Sequence, residues 1–279
     1  MVGSKRQRLR YRVLGHTVLG ALSIVYLIPL LWMISSAFKS EAQLFSYNMI
    51  LVPRPVRWQN FPEAIDAIPF FAYLVNSLQV CAWSILGTLI SCSLAAYGFA
   101  RIRWRGSTIL FAVVLSTMML PYQATMLPLF ITFKTLGWVG TFKPLIVPRF
   151  FGTAFFIFLL RQFFRSIPTD ISDSARIDGC SEFGIFARMI IPLAKPALAV
   201  VVLFTFLHTW NDFVGPLIYL TSEDKYTLAL GLQQFVSSYG SRWGHLMACT
   251  TLVTLPIIVL FFLTQRTFVQ GIALTGMKG

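Results

Sequence analysis

Six apolar runs divide the chain, at 13–38, 70–100, 108–133, 144–164, 196–220 and 245–263, with polar or charged stretches between them. Each approaches or exceeds the roughly 20 residues that an α-helix needs to cross a hydrocarbon core. The pattern predicts an all-α integral membrane protein with six transmembrane helices. The first run is too long for a signal peptide, whose apolar region is about 7 to 15 residues, so it reads as a retained span. In the third run, Pro121 and Pro128 stand around Tyr122 and Gln123. Prolines inside a span free backbone carbonyls, which predicts a broken or kinked helix there. The stretch 39–69, with Pro53, Pro55, Trp58 and Pro62, reads as an ordered outer segment lying partly along the membrane surface.

Composition agrees with the pattern. Of 279 residues, 56% are hydrophobic and only 12% charged, where soluble domains run near a quarter charged. Six spans leave no room for a separate soluble domain. A net charge of +13 could suggest a nucleic-acid partner. The basic residues, however, flank apolar runs, as Arg101, Arg103 and Arg105 do after the second run. A positive-inside bias accounts for this without nucleic acid, and about fifteen Lys and Arg fall inside against about eight outside on a six-span topology. The resulting division is a cytoplasmic N-terminus over 1–12, which carries Lys5, Arg6, Arg8, Arg10 and Arg12, a six-span domain over 13–263, and a cytoplasmic tail over 264–279. Cys81, Cys92, Cys180 and Cys249 form no CxxC and have no His at ligand spacing. Neither a disulfide framework nor a metal site is expected.

One polar stretch, 166–197, is longer than a connector needs to be. Local signals divide it into two short helices. Pro168 ends the preceding helix, Thr169 or Asp170 can cap the next, and Asp173 follows Asp170 at capping-box spacing. Gly179 stands where a helix favours a C′ glycine. Ser181 can cap a second helix, on which Phe183, Phe186, Met189, Ile190 and Leu193 recur at three- and four-residue spacing. Two readings stand: a docking site for another protein, or an amphipathic linker lying on the headgroups.

The order Asp173, Ser174, Ala175, then Ile177, Asp178, Gly179, and later Ile190, Ile191, Pro192, Leu193 resembles the EAA loop of importer-type ABC permeases. The resemblance is to the sugar branch, the second permease subunit of maltose-type systems, with Asp173 in place of the usual Glu and Ser174 in place of Ala. It implies a cytoplasmic coupling helix in which Asp173, Ser174, Ala175, Ile177, Asp178, Gly179, Phe183 and Phe186 meet an ATPase. It also implies a second permease subunit, two cytoplasmic ATPase subunits and an extracytoplasmic solute-binding protein as partners, and a carbohydrate as substrate. The setting would be a bacterial or archaeal inner membrane. ATP and Mg would sit in the ATPase subunits, with no cofactor on this chain. The tail 264–279 is similar to the C-terminus of the same subunits, although a frayed end reads equally well.

Polar residues inside the spans are the remaining candidates for chemistry. Asn76 and Gln79 are three apart on one helix face, Gln123 lies beside the third-span prolines, and His208, Trp210, Asn211 and Asp212 fall in the fifth run. An intramembrane carboxylate is costly and so is a functional candidate. Interhelical contacts and a wet substrate path, with an aromatic ring and amides for a sugar, both fit. Trp210-Asn211-Asp212 also resembles a segment of the sugar-permease branch. His208 and Asp212, four apart, would share a helix face, which keeps a proton-coupled secondary transporter or channel as the alternative. No GxxxxGK[ST], GxSxG or HExxH occurs, so the chain is not expected to be an enzyme.

Overall fold

The computed structural model describes residues 5–48, 50–236 and 242–276, with side chains from 11 to 265 within those ranges. Among them every regular element is helical. Two compact units are present, residues 1–68 with 232–254, and residues 69–231 with 255–279.

The first unit begins with α1 (Lys5–Ala37), a helix whose apolar surface is open along most of its length. Only its C-terminal end is covered, where Ser36, Ala37 and Lys39 are buried. The outer segment closes over that end. Asn60, buried in α2 (Asn60–Ala67), donates from Nδ2 to the carbonyls of Ala37 (2.9 Å) and Lys39 (2.8 Å). These carbonyls lie past the last helical hydrogen bonds, where an unpaired acceptor is costly. Glu63 gathers Arg57 (2.8 Å) and His245 (2.9 Å). Glu41 accepts from the backbone N–H of Gly244 at 3.0 Å.

The second unit is built on α3 (Phe70–Arg101), of 32 residues. Its buried face reads Tyr73, Ser77, Val80, Ser84, Thr88, Cys92, Ala96, small residues at helical spacing of the kind that lets helix backbones approach closely in a membrane. A Cβ at Gly87 would stand 2.6 Å from the ring of Phe150. Ser91 Oγ donates to the carbonyl of Arg149 at 2.9 Å.

The third run forms two helices, α4 (Ser107–Ser116), which runs on as a short turn to Met119, and α5 (Tyr122–Thr135), bent by 98° from each other. Pro121 makes this break, whereas Pro128 sits inside α5 without interrupting it. The fourth run is helical over Lys143–Phe151, breaks at Gly152 and Thr153, and resumes as α6 (Ala154–Ser166), which packs along α3.

After the loop helices described below comes α9 (Lys195–Trp210). The continuous fifth span expected over 196–220 is not formed. The helix ends at Trp210, and α10 (Val214–Tyr219) follows after a break. The last helix, α11 (Trp243–Gly276), has no break at Leu263, so the expected tail is helical up to Gly276. Residues 277–279 of that tail lie outside the described residues, as does Tyr239 in the outer loop. Among the described residues, four helices are long and apolar enough to cross a membrane, or up to six with each bent pair taken as one span.

Candidate functional site

The loop between α6 and α9 carries α7 (Thr169–Ile177) and a second helical stretch, α8 (Glu182–Leu193). At the end of α7 the chain makes a Schellman closure: Gly179 N–H donates to Arg176 O (3.0 Å) and Cys180 N–H to Ala175 O (2.9 Å). Gly179 has φ +81°, a conformation that is strained for any L side chain. No atom lies within 4 Å of where its Cβ would be, so conformation rather than space requires the glycine. Ser181 caps α8 by accepting from Gly184 N–H at 3.1 Å. A π-helical turn over Phe186–Ile190 widens that helix.

The expected capping box at Asp170 and Asp173 does not form, because Pro168 occupies the cap position with no side-chain bond. Asp173 instead accepts from Arg176 Nη1 at 2.6 Å. Arg176 Nε also donates to Glu182 Oε1 at 2.7 Å, and Glu182 Oε2 accepts from Tyr97 Oη of α3 at 2.7 Å. One chain of charge-assisted bonds therefore runs from the first loop helix through the second to the central span. The hydrogen bond to Glu182, followed by those charges and Asp173, holds the Arg176 pKa above its ordinary value. Arg101 Nη2 adds a bond to Ile167 O at 2.6 Å. Arg176, Glu182, Tyr97 and Arg101 were not among the expected site residues. The signal for Arg176 is its three-residue spacing from Asp173.

The expected loop residues separate into two sets. Ala175 and Phe186 face inward with Ile185 and Ile190 and anchor the loop in the core, and the Phe186 ring packs edge-on to Tyr97. Asp173, Ser174, Ile177, Asp178, Gly179 and Phe183 are exposed. Ile177 is 87% and Phe183 70% exposed, two large apolar side chains standing on either side of the glycine joint.

The polar residues of the spans separate as well. Asn76 is a structural residue, its Nδ2 donating to the backbone carbonyls of Asp224 (2.9 Å) and Tyr226 (3.0 Å). Trp210 is 2% exposed and stacks on Phe206, so its ring is not offered to a ligand as expected. Asp212 is not on the helix of His208, which ends before it. Asp212 Oδ1 accepts from Gly215 N–H at 3.0 Å at the start of α10, and Asn211 Nδ2 donates to Leu207 O at 2.8 Å. The helix face that His208 and Asp212 would share under the alternative reading is not formed, and His208 Nδ1 lies 3.2 Å from Arg149 Nη2. Gln79, Gln123, His208 and Asn211 are exposed. Arg149 was also missed, although a cation inside the apolar run 144–164 is a visible signal.

The family described as "Binding-protein-dependent transport system inner membrane component" matches residues 87–274. The arabinooligosaccharides transport system permease protein AraQ of Bacillus subtilis is 33% identical over 272 residues, covering 96% of each chain. The lactose transport system permease protein LacG of Rhizobium radiobacter is 30% identical over 97% of this chain and 98% of its own. Among solved structures, a chain of a bacterial ABC transporter involved in the import of the acidic polysaccharide alginate superposes with a TM-score of 0.82. It covers 96% of this chain and 99% of that one at 23% identity, a likeness of fold. By the family match and by relatives of near-equal length, the chain belongs to the inner-membrane components of binding-protein-dependent transport systems.

Proposed function

We propose that the chain forms one half of the membrane pathway of an ABC importer for a carbohydrate and is driven through its 166–197 loop. The observation that carries the reading is the loop itself. Its inner face is fixed to the core by Ala175, Ile185, Phe186 and Ile190, while Ile177 projects among Asp173, Ser174 and Asp178, and the exposed Phe183 borders an apolar recess with Leu89, Ile90 and Leu94. A loop held to the core on one face, with an apolar side chain and an adjoining apolar recess open on the other, suits a protein-docking site. Here the occupant is one of two ATPase subunits, which hold ATP and Mg. A second permease subunit completes the pathway and a solute-binding protein delivers the substrate. Relatives named for arabino-oligosaccharide and lactose transport support the substrate class.

On this reading the loop and both termini are cytoplasmic, and Arg101, Arg103 and Arg105 mark the inner end of α3. The boundaries at 12 and 263 are membrane edges rather than helix ends. ATPase closure moves the loop as a rigid body, and its links to α3 through Glu182–Tyr97 and Arg101–Ile167 carry that motion into the span. The contact of His208 with Arg149, a group that only donates, does not favour a proton relay.

The test is uptake by the assembled transporter in proteoliposomes with its solute-binding protein. Saccharide uptake should require ATP inside and be indifferent to a pH gradient. Uptake that follows the gradient without ATP would overturn the proposal.

A further inference from the structure

A second polar constellation lies well away from the loop, and it includes a charge within the membrane. Arg149 is held against α3 through its own carbonyl, which accepts from Ser91 Oγ at 2.9 Å. Ser91 is about ten residues, or about 15 Å at helical rise, from Arg101 at the end of α3. With Arg101 at the edge of a hydrocarbon layer about 30 Å thick, the guanidinium sits near mid-depth. A cation at that depth is retained for a role.

Its surroundings define what it can bind. An arginine only donates, so the 3.2 Å contact makes His208 Nδ1 an acceptor, which puts the ring proton on Nε2 and leaves the imidazole neutral. Among the described residues no carboxylate comes within ion-pair distance of Arg149. Asp212 and the half-exposed Tyr122 are nonetheless its electrostatic neighbours. The group thus offers guanidinium and imidazole N–H donors, a phenol that can do either, and a carboxylate acceptor. The charges of Arg149 and Asp212 cancel.

We propose that Arg149, with His208 and Asp212, is the polar contact for the substrate in this half of the pathway, and that its balanced charge suits an uncharged saccharide. Hydroxyl groups both donate and accept, which matches a site holding donors beside one carboxylate. A uronate would gain one cation but meet Asp212. That repulsion offsets the gain from Arg149 and leaves no net preference for an anion. The inference rests on the carbohydrate reading above and names the residues and ligand charge within it.

The experiment is equilibrium dialysis of the assembled transporter in detergent, without solute-binding protein, against a plant-polysaccharide hydrolysate containing neutral and uronate oligosaccharides. Retained sugars are identified by mass spectrometry. Wild type should retain neutral oligosaccharides only. Arg149→Gln should lower that retention at least tenfold while still co-purifying with its partners. Asp212→Asn keeps an oxygen to accept from Gly215 N–H and removes the charge, so it should newly retain uronates. Retention of uronates by wild type, or unchanged retention by Arg149→Gln, overturns the proposal. So does loss of the partner subunits in Arg149→Gln, which would make the residue an assembly contact. A wild-type transporter that takes up saccharide in vesicles yet retains none here overturns this site and leaves the carbohydrate reading standing. One that takes up none in vesicles removes that reading as well.

Discussion

Both the 178–181 joint and the 211–215 joint separate two helices, and they do so by opposite means. At Gly179 the backbone does the work, with φ +81°, two main-chain hydrogen bonds and open space around the missing Cβ. At 211–215 a side chain does it. Asp212 Oδ1 accepts from Gly215 N–H in the first turn of α10, and a Cβ on Gly215 would overlap Asp212 Oδ2 and come within 3.0 Å of Leu145 Cδ2. The first joint is a surface device with its neighbours facing outward. The second turns on a buried Gly215, although Asn211 and Val214 beside it are exposed. A surface joint can be required by a partner, whereas a packed one is required by the fold, and substitutions should separate the two.

The largest effect on stability should come from the packed joint. Gly215→Ala introduces an overlap against a fixed carboxylate, and overpacking of this kind costs about 1–3 kcal/mol. A fall in the melting temperature of the purified complex would show it. Gly179→Val forces a β-branched residue into the left-handed region at a cost of about 1–2 kcal/mol. The strain is confined to the loop, so the melting temperature should move less than in Gly215→Ala while ATPase co-purification falls. Equal melting shifts with full ATPase recovery would erase the distinction between the joints. Asp212→Ala removes that first-turn hydrogen bond, worth about 1 kcal/mol, and should lower the melting temperature where Asp212→Asn does not. The smallest change is expected from Asp173→Ala. Its exposed pair with Arg176 is worth about 0.2–0.5 kcal/mol, so thermal melting should be almost unmoved.

Legibility in the sequence followed the same division. Gly179 and the Ser181 cap are set by nearest-neighbour backbone chemistry, and both were readable from a few residues. The membrane-spanning runs were readable because hydrophobic length is a local quantity. What failed was assignment that depends on packing. Asp173 was available as a capping residue but is taken by Arg176. His208 and Asp212 share a face only on an unbroken helix, and the helix stops at Trp210. Trp210 itself turns inward onto Phe206. Arg149 was visible as a cation in an apolar run, but its role depends on His208, 59 residues on, being brought beside it.

The central claim is that an ATPase subunit docks on the exposed face of the 166–197 loop. Co-purification from native membranes of the wild-type chain and of Ile177→Asp with Phe183→Asp tests it most directly, because these are the two most exposed large apolar side chains of the loop. The account predicts that the second permease subunit comes down with both forms and the ATPase with wild type alone. Full recovery of the ATPase with the double variant would contradict it.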